Sequence, residues 1–223
     1  MENGDYAVYF KNSKHGEDNY LSRLLSSESI VDAVFDGVST AGEGSKASLT
    51  LRTYLLNAEI NKPTDVKNLL TGANINLSNQ FMGKALTTAT VALKIEDRLY
   101  VFNVGDSPAY IFRNGKAIEL TTSDSLPENP SVISQSMGIE DKLDIHRKQF
   151  KLRQNDRLVL ATDGITDNIS PDELYECVIK NARNPDVVVN RLESLLLYKK
   201  RANIGHVYNF FKNDDQTAII RFF

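Results

Sequence analysis

Apolar positions alternate or run unbroken over 6–10 and 30–35, which predicts two early strands. The period then lengthens. Ala47, Leu51, Tyr54, Leu55 and Ala58 recur at helical spacing, and Pro63-Thr64-Asp65 breaks that helix and caps a second. Val66, Leu69, Leu70, Ala73 and Leu77 mark the apolar face of the second helix. From Thr88 onwards the strand period returns: 88–95 turns at Glu96-Asp97 into 99–104, and 109–113 turns at Asn114-Gly115 into 117–120. Asn-Gly between two such runs is a strong hairpin signal. A polar segment with Pro127 and Pro130 follows, and 143–152 with 157–162 reads as one more antiparallel pair. Helices over 171–181 and 186–198 precede a closing strand at 217–223.

Strands joined as hairpins, with helices arriving in two pairs, predict antiparallel sheets covered by helices rather than a doubly wound parallel sheet. An α+β four-layer α-β-β-α sandwich, with two mostly antiparallel sheets between the helix pairs, would use both pairs, although periodicity alone does not establish it. At 223 residues the chain is most simply one domain, 1–223, with no internal repeat or low-complexity linker.

Three of the strands run straight into an aspartate beside a small residue: Asp36-Gly37, Gly105-Asp106-Ser107 and Asp163-Gly164. A fourth carboxylate pair, Asp214-Asp215, opens the closing strand. Desolvating a carboxylate costs several kcal/mol or raises its pKa, so several gathered on one sheet edge need a counter-charge. Mg²⁺ or Mn²⁺ supplies it through oxygen ligands alone.

Composition narrows the alternatives. The net charge is −3, and the one tight basic cluster, Lys199-Lys200-Arg201, reads as a dipole-complementing helix end, so neither nucleic acid nor a membrane is an expected partner. A single cysteine, Cys177, excludes an internal disulfide and fits a reducing compartment. Met1-Glu2-Asn3-Gly4-Asp5 shows no basic region leading into an apolar run, and no stretch is apolar for long enough to span a bilayer, so the expected location is cytoplasmic. His15, His146 and His206 lack metal-ligand spacing, which argues against zinc. No cysteine-arginine phosphatase loop or phosphate-cradling P-loop is present.

The ordered motifs resemble those of the metal-dependent type 2C (PPM) protein phosphatases. Glu17-Asp18-Asn19 stands where that family has an acidic motif, and Val34-Phe35-Asp36-Gly37 matches its Val-x-Asp-Gly segment. Leu86-Thr87-Thr88-Ala89 approximates Gly-Thr-Thr-Ala, and Asn103-Val104-Gly105-Asp106-Ser107 is intact. Thr162-Asp163-Gly164 and Asp214-Asp215-Gln216-Thr217 echo Ser-Asp-Gly and Asp-Asn-x-Thr. The resemblance spans nearly the whole chain and implies hydrolysis of phosphoserine or phosphothreonine on a phosphorylated protein substrate by a metal-bridged hydroxide. Two Mn²⁺ or Mg²⁺ ions are implied, with Asp36 bridging, the Gly37 carbonyl completing one and Asp163 and Asp214 holding the other. Asp106 corresponds to the ligand of a third, weaker ion, and Glu17 and Asp18 to groups acting on waters. The family's upstream phosphate-clamping arginine is missing; Lys14 or Lys11 could substitute as a point charge, with Lys14 taken as the phosphate-binding candidate. Val38-Ser39-Thr40 replaces a glycine pair, Pro108 stands at a typical arginine, and the flap before Ser136-Met137-Gly138 is short. These departures leave an alternative: a non-catalytic module of the same fold that binds a phosphoprotein. Oligomeric state is not legible.

Overall fold

A computed structural model describes residues 3–139, 143–180 and 182–223. Two five-stranded sheets lie face to face. Across the first, the order is β1 (Asp5–Lys11), β12 (Gln216–Phe222), β11 (Arg157–Ala161), β6 (Ala109–Arg113) and β7 (Lys116–Glu119). Across the second it is β10 (His146–Lys151), β5 (Arg98–Val104), β4 (Ala89–Ile95), β3 (Ser29–Phe35) and β2 (Asn19–Ser26). All neighbours in both sheets are antiparallel. A small ribbon, β8 (Ser125–Leu126) with β9 (Asn129–Ile133), stands outside them.

Helices α1 (Gly44–Asn57) and α2 (Pro63–Phe81) cover the second sheet; α4 (Pro171–Ile179) and α5 (Pro185–Ala202) cover the first. A single turn, α3 (Asp163–Thr166), follows β11. The four-layer α-β-β-α expectation therefore holds.

The layering follows from strand alternation. In β11, Leu158 and Leu160 face the other sheet while Val159 and Ala161 pack under α4 and α5. In β5, Leu99 and Val101 point between the sheets, and Phe102 and Val104 point to α1 and α2. Successive strand side chains alternate faces, so strands apolar on both faces must lie inside a multilayer stack. Cys177 is a buried member of the α4–α5 layer. Asn114 and Gly115 both take positive φ (48° and 79°), the turn that Asn-Gly favours between β6 and β7. Helix α4 starts on a reciprocal cap: Ser170 Oγ accepts from the Glu173 N–H at 3.2 Å, and Glu173 Oε2 from the Ser170 N–H at 2.9 Å.

One pairing is corrected. Segments 143–152 and 157–162 do not pair with each other: β10 hydrogen-bonds to β5, and β11 lies between β12 and β6. Their side chains explain this. β10 carries Arg147, Lys148, Gln149 and Lys151 and suits an exposed edge, whereas four of the five β11 residues are buried and suit a centre. Three strands had no clear signal. β2 is an edge strand whose only buried residue is Leu21, and β8–β9 lies in the polar segment. The expected end of the helix at Asn181 lies outside the described residues.

Candidate metal centre

The four aspartates flagged at strand ends converge. Asp36 follows β3 and Asp106 follows β5 in one sheet; Asp163 follows β11 and Asp214 precedes β12 in the other. Together with Gly37 they line one cleft of about 230 Å³ between the sheet ends, shared with Val38, Ser39, Thr40, Thr88 and Lys212.

Each acid is held by neighbours that the motifs supply. The Asp36 N–H donates to Thr88 Oγ1 at 3.0 Å, and the Asp36 carbonyl accepts from the Thr88 N–H and Thr87 Oγ1, both at 2.8 Å. Thr87 and Thr88, immediately before β4, thus fix Asp36. Gly105 before Asp106 has φ 93°, and its N–H donates to Asp124 Oδ2 at 2.8 Å. Gly164, after Asp163, is obligatory because a Cβ there would stand 1.8 Å from the Asp215 carbonyl oxygen.

The two acidic residues expected to act on waters lie beside this cleft. Asp18 is buried and accepts at Oδ2 from Thr162 Oγ1 at 2.9 Å and Thr217 Oγ1 at 2.6 Å. Glu17 is half-buried; its carboxylate accepts from the Ser39 hydroxyl, and its carbonyl from the Gly37 N–H at 3.2 Å. Lys14 is placed differently. Its side chain is exposed and lines an adjoining depression with Lys11, Lys200 and Asp214, outside the cleft that holds Asp36.

Three residues of the centre carried no assignment from sequence. Asp215 sits behind Asp214 and accepts the N–H groups of Lys14 (2.7 Å), His15 (3.1 Å) and Glu17 (3.0 Å), so it anchors the acidic loop. Asp167 lies one helical turn beyond Asp163, and that i, i+4 spacing is the signal that identifies it. Lys212 Nζ is 2.5 Å from Asp163 Oδ2, 2.9 Å from Asp167 Oδ2 and 3.4 Å from Asp214 Oδ2. A lone lysine before the Asp214-Asp215 pair has no local pattern that marks it.

The electrostatics are those of acids short of counter-charge. Burial, then repulsion from Asp18, Asp163 and Asp106, raises the Asp36 carboxyl well above its ordinary range. Burial and Asp163 push Asp106 up to about 7, and burial raises Asp18 to about 7 against its two threonine hydrogen bonds. Asp167 rises to about 6, chiefly through burial and Asp163. Burial alone would lower the Lys212 ammonium, but Asp163 and Asp167 more than offset it and hold it above the usual range.

The donor chemistry fits a hard divalent cation: carboxylate oxygens and a backbone carbonyl, with no sulfur and no imidazole in the cleft lining. As the side chains are placed, no group of three or more acidic, histidine or cysteine residues among the described residues is arranged to hold a metal ion. The ammonium of Lys212 stands among three of the carboxylates instead.

A family model described as Stage II sporulation protein E (SpoIIE) matches residues 29–219, which is most of the chain. The chain belongs to the SpoIIE family. It is a type 2C phosphatase domain by that membership, as the ordered motifs implied. This SpoIIE-family domain is 28% identical over 199 residues to protein phosphatase 2C homolog 7, mitochondrial, of Saccharomyces cerevisiae, covering 76% of this chain and 58% of that protein. It is 24% identical over 129 residues to serine/threonine phosphatase stp of Listeria welshimeri, covering 48% of this chain and 51% of that one. The domain thus spans about half the length of these curated relatives. Among solved structures, serine/threonine phosphatase Stp1 from Staphylococcus aureus superposes with a TM-score of 0.81 at 19% identity, over 100% of this chain and 97% of that one. The catalytic domain of PstP in complex with two manganese ions gives 0.73 at 19% identity, over 96% of each chain. At these identities the structural likenesses show the fold. Among the described residues no helix is long and apolar enough to cross a membrane.

Proposed function

We propose that this domain is a Mn²⁺- or Mg²⁺-dependent protein phosphatase that hydrolyses phosphoserine or phosphothreonine to the free hydroxyl and inorganic phosphate. The observation that carries this reading is the convergence of Asp36, Asp106, Asp163 and Asp214 from the ends of both sheets on one cleft in a SpoIIE-family chain. Asp36, the Gly37 carbonyl, Asp163 and Asp214 would hold two ions, with Asp106 available to a third. When bound, such ions lower the pKa of water and neutralise phosphate oxygens, which a repelling phosphomonoester dianion requires.

The chain's own groups do the positioning. Thr87 and Thr88 pin the Asp36 backbone so that its carboxylate needs little reorganisation, which position-dominated phosphoryl transfer rewards. Glu17 and Asp18 orient waters at the edge of the cleft; the Asp215 carboxylate holds the Glu17 backbone, and Thr162 and Thr217 hold the Asp18 side chain. Lys14, on the rim beside Asp214, is the candidate for the substrate's phosphate, as a point charge in place of an arginine fork. The natural substrate on this reading is a phosphorylated protein.

The test is release of p-nitrophenol from p-nitrophenyl phosphate by the Mn²⁺-loaded domain, compared with Asp163→Asn and with chelator. Turnover that needs Mn²⁺ and is lost in the variant supports the reading. A folded, Mn²⁺-saturated protein that cleaves neither this ester nor any phosphopeptide refutes it.

A further inference from the structure

Lys212 enters the acidic cluster from a backbone that is clamped at two points. Its N–H donates to Asn168 Oδ1 at 2.8 Å, and its carbonyl accepts from Asn168 Nδ2 at 2.9 Å. Asn168 is fully buried and also donates to the Gly164 carbonyl at 2.9 Å, which ties Lys212 to the turn bearing Asp163. Next to it, Phe211 is buried against α5. From this fixed base the lysine side chain, 23% exposed, extends inward, and its ammonium meets Asp163, Asp167 and Asp214 at 2.5, 2.9 and 3.4 Å. Three N–H donors meeting three carboxylates is a saturated arrangement for a lysine. Two of those carboxylates, Asp163 and Asp214, belong to the proposed divalent site.

We propose that Lys212 is a tethered counter-ion that competes with divalent cations for Asp163, Asp167 and Asp214, so that it sets how tightly and how many ions this half of the cluster holds. The inference rests on the metal-centre reading above and deepens it. A unit positive charge and a divalent ion cannot share the space between the same oxygens without strong repulsion. Ion binding there therefore requires the ammonium to withdraw, and the repulsion between the carboxylates is relieved in turn by one cation or the other. On this proposal Lys212 balances these carboxylates wherever no divalent ion does, and turns away from them on its fixed backbone when one binds.

The experiment measures Mn²⁺ binding alone, without substrate, by isothermal titration calorimetry on the full chain and on Lys212→Gln. The expected result is at least about tenfold tighter binding of one ion by the variant, with a lower melting temperature in chelator that Mn²⁺ restores. Mn²⁺ binding by the wild type with equal or weaker affinity in Lys212→Gln overturns the proposal and leaves the metal-centre reading standing. Failure of both proteins to bind Mn²⁺ overturns the two together. A second measurement needs no variant to fold: residue-resolved mass spectrometry of lysine acetylation by an N-hydroxysuccinimide ester on the wild type. Lys212 is expected to be protected in chelator and to become several-fold more reactive at saturating Mg²⁺. Unchanged reactivity in a protein that binds Mg²⁺ refutes the displacement.

Discussion

The Asp36 carboxylate is surrounded by others of its own sign, and among the described residues no ion pair reaches it. An acid whose pKa is raised in the folded state destabilises that state at neutral pH, because ionisation is easier in the unfolded chain. Asp36→Asn is therefore expected to move two quantities in opposite directions. Activity on p-nitrophenyl phosphate with Mn²⁺ falls by several orders of magnitude, while the melting temperature in chelator rises by a few degrees, since about 1 kcal/mol corresponds to about 2–4 °C at this size. Differential scanning calorimetry beside kinetics checks both; unchanged activity would remove Asp36 from the proposed metal-holding set. This residue was legible in the sequence because a strand ending in Asp-Gly is a local pattern. Lys212 was not, since what distinguishes it is the company of Asp163 and Asp167, 49 and 45 positions upstream.

Between elements, the two sheets are joined by a buried ion pair. Arg221 of β12 donates from Nε to Asp32 Oδ2 at 2.6 Å and from Nη2 to Asp32 Oδ1 at 2.8 Å, crossing from one sheet to the other. Its remaining N–H groups reach the carbonyls of Asn3 and Gly4 and the Ser22 hydroxyl, so the guanidinium is fully used. Asp32→Ala leaves a buried, unpaired arginine and is expected to cost about 3–5 kcal/mol in urea unfolding. Replacing both partners, as Asp32→Leu with Arg221→Met, is expected to restore most of it, because the desolvation penalty goes with the charges. A double variant no more stable than Asp32→Ala would show that geometry, not uncompensated charge, sets the cost. Pattern reading placed Asp32 in a strand but did not pair it. Its partner lies 189 positions away, and an acid inside a hydrophobic strand says that a partner exists without saying which.

Over the molecule as a whole, the sandwich brings the start of the chain against its end. β1 pairs with β12, and Asp215 gathers the N–H groups of residues 14, 15 and 17 across about 200 positions. Asp215→Ala is expected to free that loop: hydrogen exchange at 14–17 quickens, and metal-dependent turnover drops about 10- to 100-fold through loss of positioning while the fold persists. Normal exchange in the variant would deny Asp215 its anchoring role. The sequence by itself determined the helix pairs, most strands and the strand-end aspartates, because periodicity and strand-to-turn boundaries are encoded within a few residues of one another. Only the tertiary structure decided that β10 and β11 belong to different sheets, that Asp215 holds the acidic loop and that Lys212 stands among the carboxylates. Those outcomes depend on which distant surfaces meet, and burial with electrostatic pairing, not local pattern, selects among them.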